Sequence, residues 1–296
     1  MDWLILALGA AILPMVPNLA DKYIILNKDY GIKALSVVSI FFYILFAFIA
    51  AFQFMEGMSL EMLLVSLTIG FIFGVVTYLI FKAFMTEQVT VVTTIYNIFP
   101  IFVAIGAAIF LSESIGAPAI VGVVLTVIGV MLVSISSSGG TLKIGKGIVF
   151  VVSGMLLAAV AQLLTKYVLN SVSFWDYLFV GAVGHALFMG WFLLEKDVRG
   201  NIFRMVKDTK TLGIVAVKEG VWVISAAMFL AAASVQKITI ISTIASTTPV
   251  FIFIGAVLIG KFMPGKSDEK IDAKTVFMKA VSIALVVSGV MLVSFF

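Results

Sequence analysis

Residues 90–110 read TVVTTIYNIFPIFVAIGAAIF, and residues 239–259 read TIISTIASTTPVFIFIGAVLI. At a constant offset of 149 the two stretches agree at Thr90/Thr239, Thr94/Thr243, Ile95/Ile244, Pro100/Pro249, Phe102/Phe251, Ile105/Ile254, Gly106/Gly255 and Ala107/Ala256. Each reads as an apolar helix with a proline in its middle and polar residues just ahead of it. A proline inside a helix removes one backbone hydrogen bond and crowds the preceding turn. In a bilayer the freed carbonyl must find another partner. Two such helices at corresponding places point to a membrane transporter made of two related halves.

Composition sets the class. Of 296 residues, 62% are hydrophobic and 11% are charged, and the mean hydropathy is +1.24. Soluble domains carry about 25% charged residues, so a polytopic membrane protein is expected. There is no cysteine, which excludes disulfides, thiolate metal sites and a cysteine nucleophile. The net charge of +4 comes from residues in connections; it speaks to membrane orientation and not to nucleic acid. The first apolar segment follows Asp2 directly, without a basic leader, and Leu26-Asn27-Lys28 offers no small-residue cleavage site. It is expected to stay as the first span.

A spanning helix needs roughly 20 apolar residues. Ten stretches qualify: 3–26, 33–55, 60–84, 88–111, 117–136, 147–169, 174–194, 211–234, 238–260 and 275–295. The joint Ser136-Ser137-Ser138-Gly139-Gly140 divides them into five and five, giving repeat units 1–138 and 145–296. The halves correspond further. Lys22-Tyr23 matches Lys166-Tyr167, which sets Asn18 opposite Gln162. Gly129-Val-Met-Leu-Val-Ser134 recurs as Gly289-Val-Met-Leu-Val-Ser294, at offset 160. The run Pro264-Gly-Lys-Ser-Asp-Glu-Lys270 accounts for the 11 extra residues. An odd number of spans per repeat turns the second half upside down. The fold class expected is thus an all-α integral membrane protein of ten transmembrane helices in two inverted five-helix repeats, the plan of many secondary transporters.

Sixteen of the 19 lysines and arginines lie at or in the loops after odd-numbered spans; Lys166 and Lys237 lie on the other side and Lys218 within a span. The positive-inside rule places the odd loops in the cytoplasm and both termini outside.

Candidate functional residues are polar groups at depth. Glu219 lies about eight residues into the eighth span, beside Lys218. A charge there is functional by default, through a zwitterionic substrate or a coupling proton, with a structural ion pair as the competing role. Adjacent helix positions point about 100° apart, so the two need not pair with each other. His185, the only histidine, suits a proton relay by its titration range; with no carboxylate near it in sequence, a buried neutral imidazole is the simpler reading. Tyr78, Tyr96 and Trp222 are deep aromatics that would line a cavity or pack between helices. Trp175 and Trp191, near span ends, read as interfacial anchors. Asn18, Asn97, Gln162 and Ser246-Thr247-Thr248 complete the expected substrate-binding set, with Pro100 and Pro249 as hinges. Pro14 and Pro17 bend the first span beside Asn18. Gly70-x-x-x-Gly74 forms a small-residue face for close helix approach.

No nucleotide loop, zinc motif or nucleophile elbow occurs, so no enzyme activity, cofactor or metal is expected. Expected partners are a small-molecule substrate and the lipid bilayer, with a proton as candidate coupling ion, in a monomer or homodimer at the cell membrane.

Further residues carry a family resemblance. Tyr78-Leu-Ile-Phe81, Ala83, Ile98-Phe-Pro-Ile-Phe102, Leu111-Ser-Glu113, Gly122 and Ile128-Gly-Val130 resemble the EamA family of the drug/metabolite transporter superfamily. So do Phe229-Leu-Ala-Ala232, Thr248-Pro-Val-Phe251 and Ser288-Gly-Val290 in the second half. Lys261-Phe262 stands where the counterpart of Glu113 would be. The resemblance implies a ten-helix transporter, often an exporter of amino acids or other small metabolites. It implies a cavity lined by spans one, three, four, six, eight and nine. It also implies cytoplasmic termini, against the charge count. The alternatives are an organic-cation or multidrug carrier and a non-transporting membrane subunit. Small multidrug carriers rely on a buried glutamate in their first helix, where this chain has only Asp21, near the end of its first span.

Overall fold

The computed structural model describes residues 2–86, 92, 95–114, 116–136, 145–252, 254–255 and 273–295, and among them there is no strand. The helices are α1 (Asp2–Ile12), α2 (Met15–Asn27), α3 (Ile32–Ala51), α4 (Leu60–Phe84), α5 (Phe99–Phe110), α6 (Ala117–Ser136), α7 (Ile148–Leu169), α8 (Phe174–Met189), α9 (Lys196–Lys207), α10 (Thr209–Val235), α11 (Ile238–Ala245) and α12 (Ala273–Phe295). Six helical stretches are long and apolar enough to cross a membrane: Asp2–Ile25, Ile32–Ala51, Leu60–Ala83, Ile148–Leu169, Phe174–Leu194 and Thr209–Val235. Four shorter apolar ones occur at Phe99–Phe110, Ala117–Leu132, Ile238–Ile252 and Ala280–Phe295. The chain is therefore an all-helical, multi-pass membrane protein. The joint at 137–140, the run at 264–270, and Thr90, Thr94 and Ala256 lie outside the described residues.

Three spans are broken where the sequence places proline. The first turns at Leu13–Pro14 between α1 and α2. Asn97 and Ile98 form a turn ahead of α5, so Pro100 sits in that helix's first turn. Ser246 and Thr247 form a turn after α11, and helix resumes at 248. This corrects the mid-helix prolines expected from the sequence. Proline fits the first turn, where its missing N–H would be unsatisfied anyway, so the chain breaks and restarts instead of bending around a lost bond.

The packing follows a repeated scheme. α4 packs on α7 and α8, while α10 packs on α1, α2 and α3. α5 lies on α7, and α11 on α1. α6 lies along α12. Taken as whole apolar stretches, each of these pairs maps onto another, or onto itself, when the two sets of matching segments are exchanged.

Individual residues obey the same exchange. A Cβ on Gly106 would stand 2.3 Å from Leu163 Cδ1, and one on Gly255 would stand 3.2 Å from Leu19 Cδ1. Gly255 follows Gly106 by 149 residues, and Leu163 follows Leu19 by 144, the offset that relates Lys22-Tyr23 to Lys166-Tyr167. Between α6 and α12 the contact is crossed. Gly129 abuts Ser282 O (2.8 Å) and Val286 Cγ2 (2.7 Å), while Gly289 abuts Gly122 O (2.6 Å) and Thr126 Oγ1 (2.3 Å), each measured from a Cβ placed on the glycine. Offset 160 carries Gly122, Thr126 and Gly129 onto Ser282, Val286 and Gly289. The seam is self-complementary, as in a two-fold dimer interface.

The loops fall into two groups. Lys28 and Tyr30, after α2, reach Asp208 at 2.7 and 2.9 Å, and Lys33 reaches Glu195 at 2.6 Å. On the other side, Asp176 accepts the backbone N–H groups of Glu56 and Gly57 at 3.1 and 3.2 Å. There too Glu113 accepts from the N–H of Ile238 at 2.8 Å and from the hydroxyl of Thr239 at 3.1 Å, capping α11. Read as connections, residues 195–210 hid a helix. In α9, Val198, Ile202 and Met205 recur at three- and four-residue spacing and pack against Ile24, Tyr30, Leu35 and Phe192.

Candidate functional site

Two of the breaks, at Pro14 and Pro249, share backbone contacts. Pro14 leaves the carbonyl of Ala10 without its helical donor, and the Ser225 hydroxyl of α10 donates to that oxygen at 3.1 Å. Pro249 does the same to Ala245, whose carbonyl lies 2.9 Å from the Thr248 hydroxyl. That hydroxyl also lies 2.9 Å from the carbonyl of Ala11 in the first span. Ser225 and Thr248 thus satisfy backbone that prolines have freed, each such bond contributing about 1 kcal/mol.

Beside this crossing lies a cluster of charges. Lys218 Nζ donates to Ser39 Oγ of α3 at 2.9 Å and stands 2.9 Å from Asp21 Oδ1 of α2. It also donates to Glu219 Oε1. Lys218 is 3% exposed and Glu219 6%. Two points that the sequence left open are settled by these contacts. Lys218 and Glu219 do pair: the four-carbon lysine stem bends across the angle between adjacent helix positions. Asp21 is not peripheral either, because α2 continues to Asn27 and holds it within the helix, facing α10. Desolvating such groups costs several kcal/mol per ion, and only close pairing offsets it. A groove of about 480 Å³ between α2 and α10 runs from Thr209 and Lys210 to Lys218.

The other expected site residues are dispersed. Asn18 is exposed, and its amide donates to Pro14 O at 2.7 Å. Its counterpart Gln162 has a buried Oε1 without a hydrogen-bond partner. Asn97 is buried in the turn before α5, and Tyr96 packs on Phe99 with ring centroids 5.6 Å apart. Ser246 and Thr247 are buried, with hydroxyls donating to Thr243 O and Ile244 O at 2.7 Å. Tyr78 packs on Phe188 and Phe192, with Lys82 over its ring. Trp222 is 40% exposed. His185 lies on the face of α8 that meets Gly74, and no ion pair joins it to the charge cluster. Trp175 stacks on Phe54 at 5.0 Å, and Trp191 is exposed.

Asp21 and Ser39 are the residues that sequence reasoning missed. Asp21 carried a signal, being the only acid beyond Asp2 in a proline-broken first span; Ser39, one of two serines in an apolar helix, carried none.

Comparison with known proteins bears on the fold and the family. A crystal structure of another protein superposes with a TM-score of 0.71, covering 100% of this chain and 99% of that one at 13% identity. At that identity the likeness shows a shared fold alone. A search of curated protein sequences finds no match. The model of the EamA-like transporter family matches residues 3–135. Those residues are the first five expected spans, and over them the chain is similar to the EamA-like transporter family of the drug/metabolite transporter superfamily.

Proposed function

We propose that the chain is a secondary transporter of ten spans, with repeat units 1–138 and 145–296 in inverted orientation. It moves a small organic metabolite, an amino acid or similar zwitterion, outward by alternating access, and needs no cofactor. The family match over residues 3–135 supports transport, and the exchange symmetry of the packing supports the inverted halves. The observation that carries the reading is the meeting of Asp21, Lys218 and Glu219 where the broken first span packs on α10. A zwitterion presents one ammonium and one carboxylate, and this cluster offers a partner for each. Asn18, Tyr96, Asn97 and Trp222, dispersed around the bundle, are proposed to meet the substrate at other points of its path, and the unpartnered Oε1 of Gln162 is available to a substrate donor.

One observation favours a second reading, an organic-cation carrier. Two carboxylates share one ammonium, which leaves charge for a cation to neutralise. A thermal-stabilisation screen with amino acids and organic cations, followed by liposome uptake with and without a pH gradient, separates the two. Stabilisation by zwitterions and their transport is the expected result; a response to cations alone selects the second reading. Silence across the panel, with no transport, returns the chain to a structural subunit.

A further inference from the structure

The charge cluster has an internal imbalance that no substrate needs to explain. Asp21 and Glu219 carry two negative charges when ionised, and Lys218 carries one positive charge. Around them α3 presents Ser39 and Tyr43, and Tyr177 of α8 lies close to Tyr43. All three are neutral, and among the described side chains no second cation pairs with either carboxylate. A net charge held within membrane-spanning helices is costly, and two carboxylates at one site do not both stay ionised without compensation.

We propose that Asp21 and Glu219 together hold one exchangeable proton, and that Asp21 is the member that gives it up. Asp21 stands on α2, beyond the turn at Leu13–Pro14, whereas Lys218 and Glu219 share α10. With α2 seated on α10, one proton makes the cluster of three electrically neutral. When α2 withdraws, the Asp21 carboxyl enters water and passes its proton to the solvent. Lys218 and Glu219 stay behind as a neutral ion pair. Both arrangements are balanced, and the difference between them is one proton and one carboxylate moved out of the helix bundle. The groove from Thr209 and Lys210 to Lys218 supplies the path. Proton binding therefore favours the seated position of α2. The proposal rests on the transporter reading only for what the motion accomplishes.

Infrared spectroscopy of the purified protein tests it without substrate. A buried protonated carboxyl gives a carbonyl band distinct from that of carboxylates. The full-length protein should show such a band, disappearing as pH rises and absent in Asp21→Asn. Lys218→Met removes the shared ammonium, so the band should persist to higher pH. A spectrum without the band, or a band unchanged in both Asp21→Asn and Glu219→Gln, overturns the proposal. Where Glu219→Gln fails to fold, Asp21→Asn decides alone, since its side chain is 36% exposed and the change leaves Lys218 and Glu219 as a neutral pair. Failure here leaves the uptake assay standing, and a failed uptake assay leaves the band to be explained.

Discussion

The hydroxyl of Thr248 lies 2.9 Å from the carbonyl of Ala11, so the broken ninth apolar stretch is tied to the broken first one just ahead of the turn at Leu13–Pro14. Thr248→Val keeps the shape and removes the donor. It should lower stability by about 1–3 kcal/mol, the cost of stranding a buried carbonyl, whereas Thr248→Ser should stay near wild type. Thermal unfolding in detergent reads the difference.

Gly70 gives a sharper contrast. A Cβ there would stand 2.1 Å from the carbonyl oxygen of Gly181 and 2.9 Å from the Cα of Gly184, both rigid backbone. Gly70→Ala should destabilise by roughly 1–3 kcal/mol or prevent assembly. Gly213, on α10, has nothing within 4 Å of its Cβ position. Gly213→Ala should therefore raise stability by about 0.5–1 kcal/mol through helix propensity. The pair, measured in parallel, separates helix crossing from propensity.

Asp208 predicts an acid-sensitive latch. Hydrogen bonds from Lys28, from the side chain and backbone N–H of Thr211, and from Tyr30 hold its carboxyl well below the usual carboxylate range. A depressed folded-state value means the latch is fully formed above the ordinary carboxylate pKa. It is lost as pH falls through the lower folded value. Amide exchange at the start of α10 should stay slow at neutral pH and rise only in strong acid. Asp208→Asn should raise it at all pH values.

Orientation is testable because the chain has no cysteine. The ion pairs Lys28–Asp208 and Lys33–Glu195 keep the basic loops on one side of the bundle. By the positive-inside rule that side is cytoplasmic. A single cysteine at Lys196, in intact cells, should resist an impermeant maleimide and react after permeabilisation. Labelling from outside would place the termini in the cytoplasm, as the family resemblance implies.

Much of the fold was legible because the bilayer imposes its length on apolar runs: six of the ten stretches read from composition coincide with helices long and apolar enough to cross a membrane, and the other four contain shorter apolar helices. The offsets between the halves were legible too, and contacts such as Gly106–Leu163 and Gly255–Leu19 follow them. The helix breaks were placed but not drawn correctly, since a proline pattern alone does not distinguish a kink from a restart. The site was legible in part. Lys218 and Glu219 stand out as charges at depth, but their pairing depends on side-chain reach that helical angles do not convey. Asp21 and Ser39 enter only through the crossing of α2 and α3 over α10, a tertiary fact. Helix α9 was hidden because its apolar positions are few and its charges resemble those of a loop.

The crossed contact of α6 and α12 has a mechanical consequence. With Gly122 and Gly289, and Gly129 and Ser282, in backbone contact, neither helix has room to slide past the other. In the proposed alternating-access cycle, rocking of the halves would pivot about this seam, like two hands joined at the wrists. Spin labels on α6 and α12 should keep their separation through the cycle, while labels on α2 and α10 change theirs.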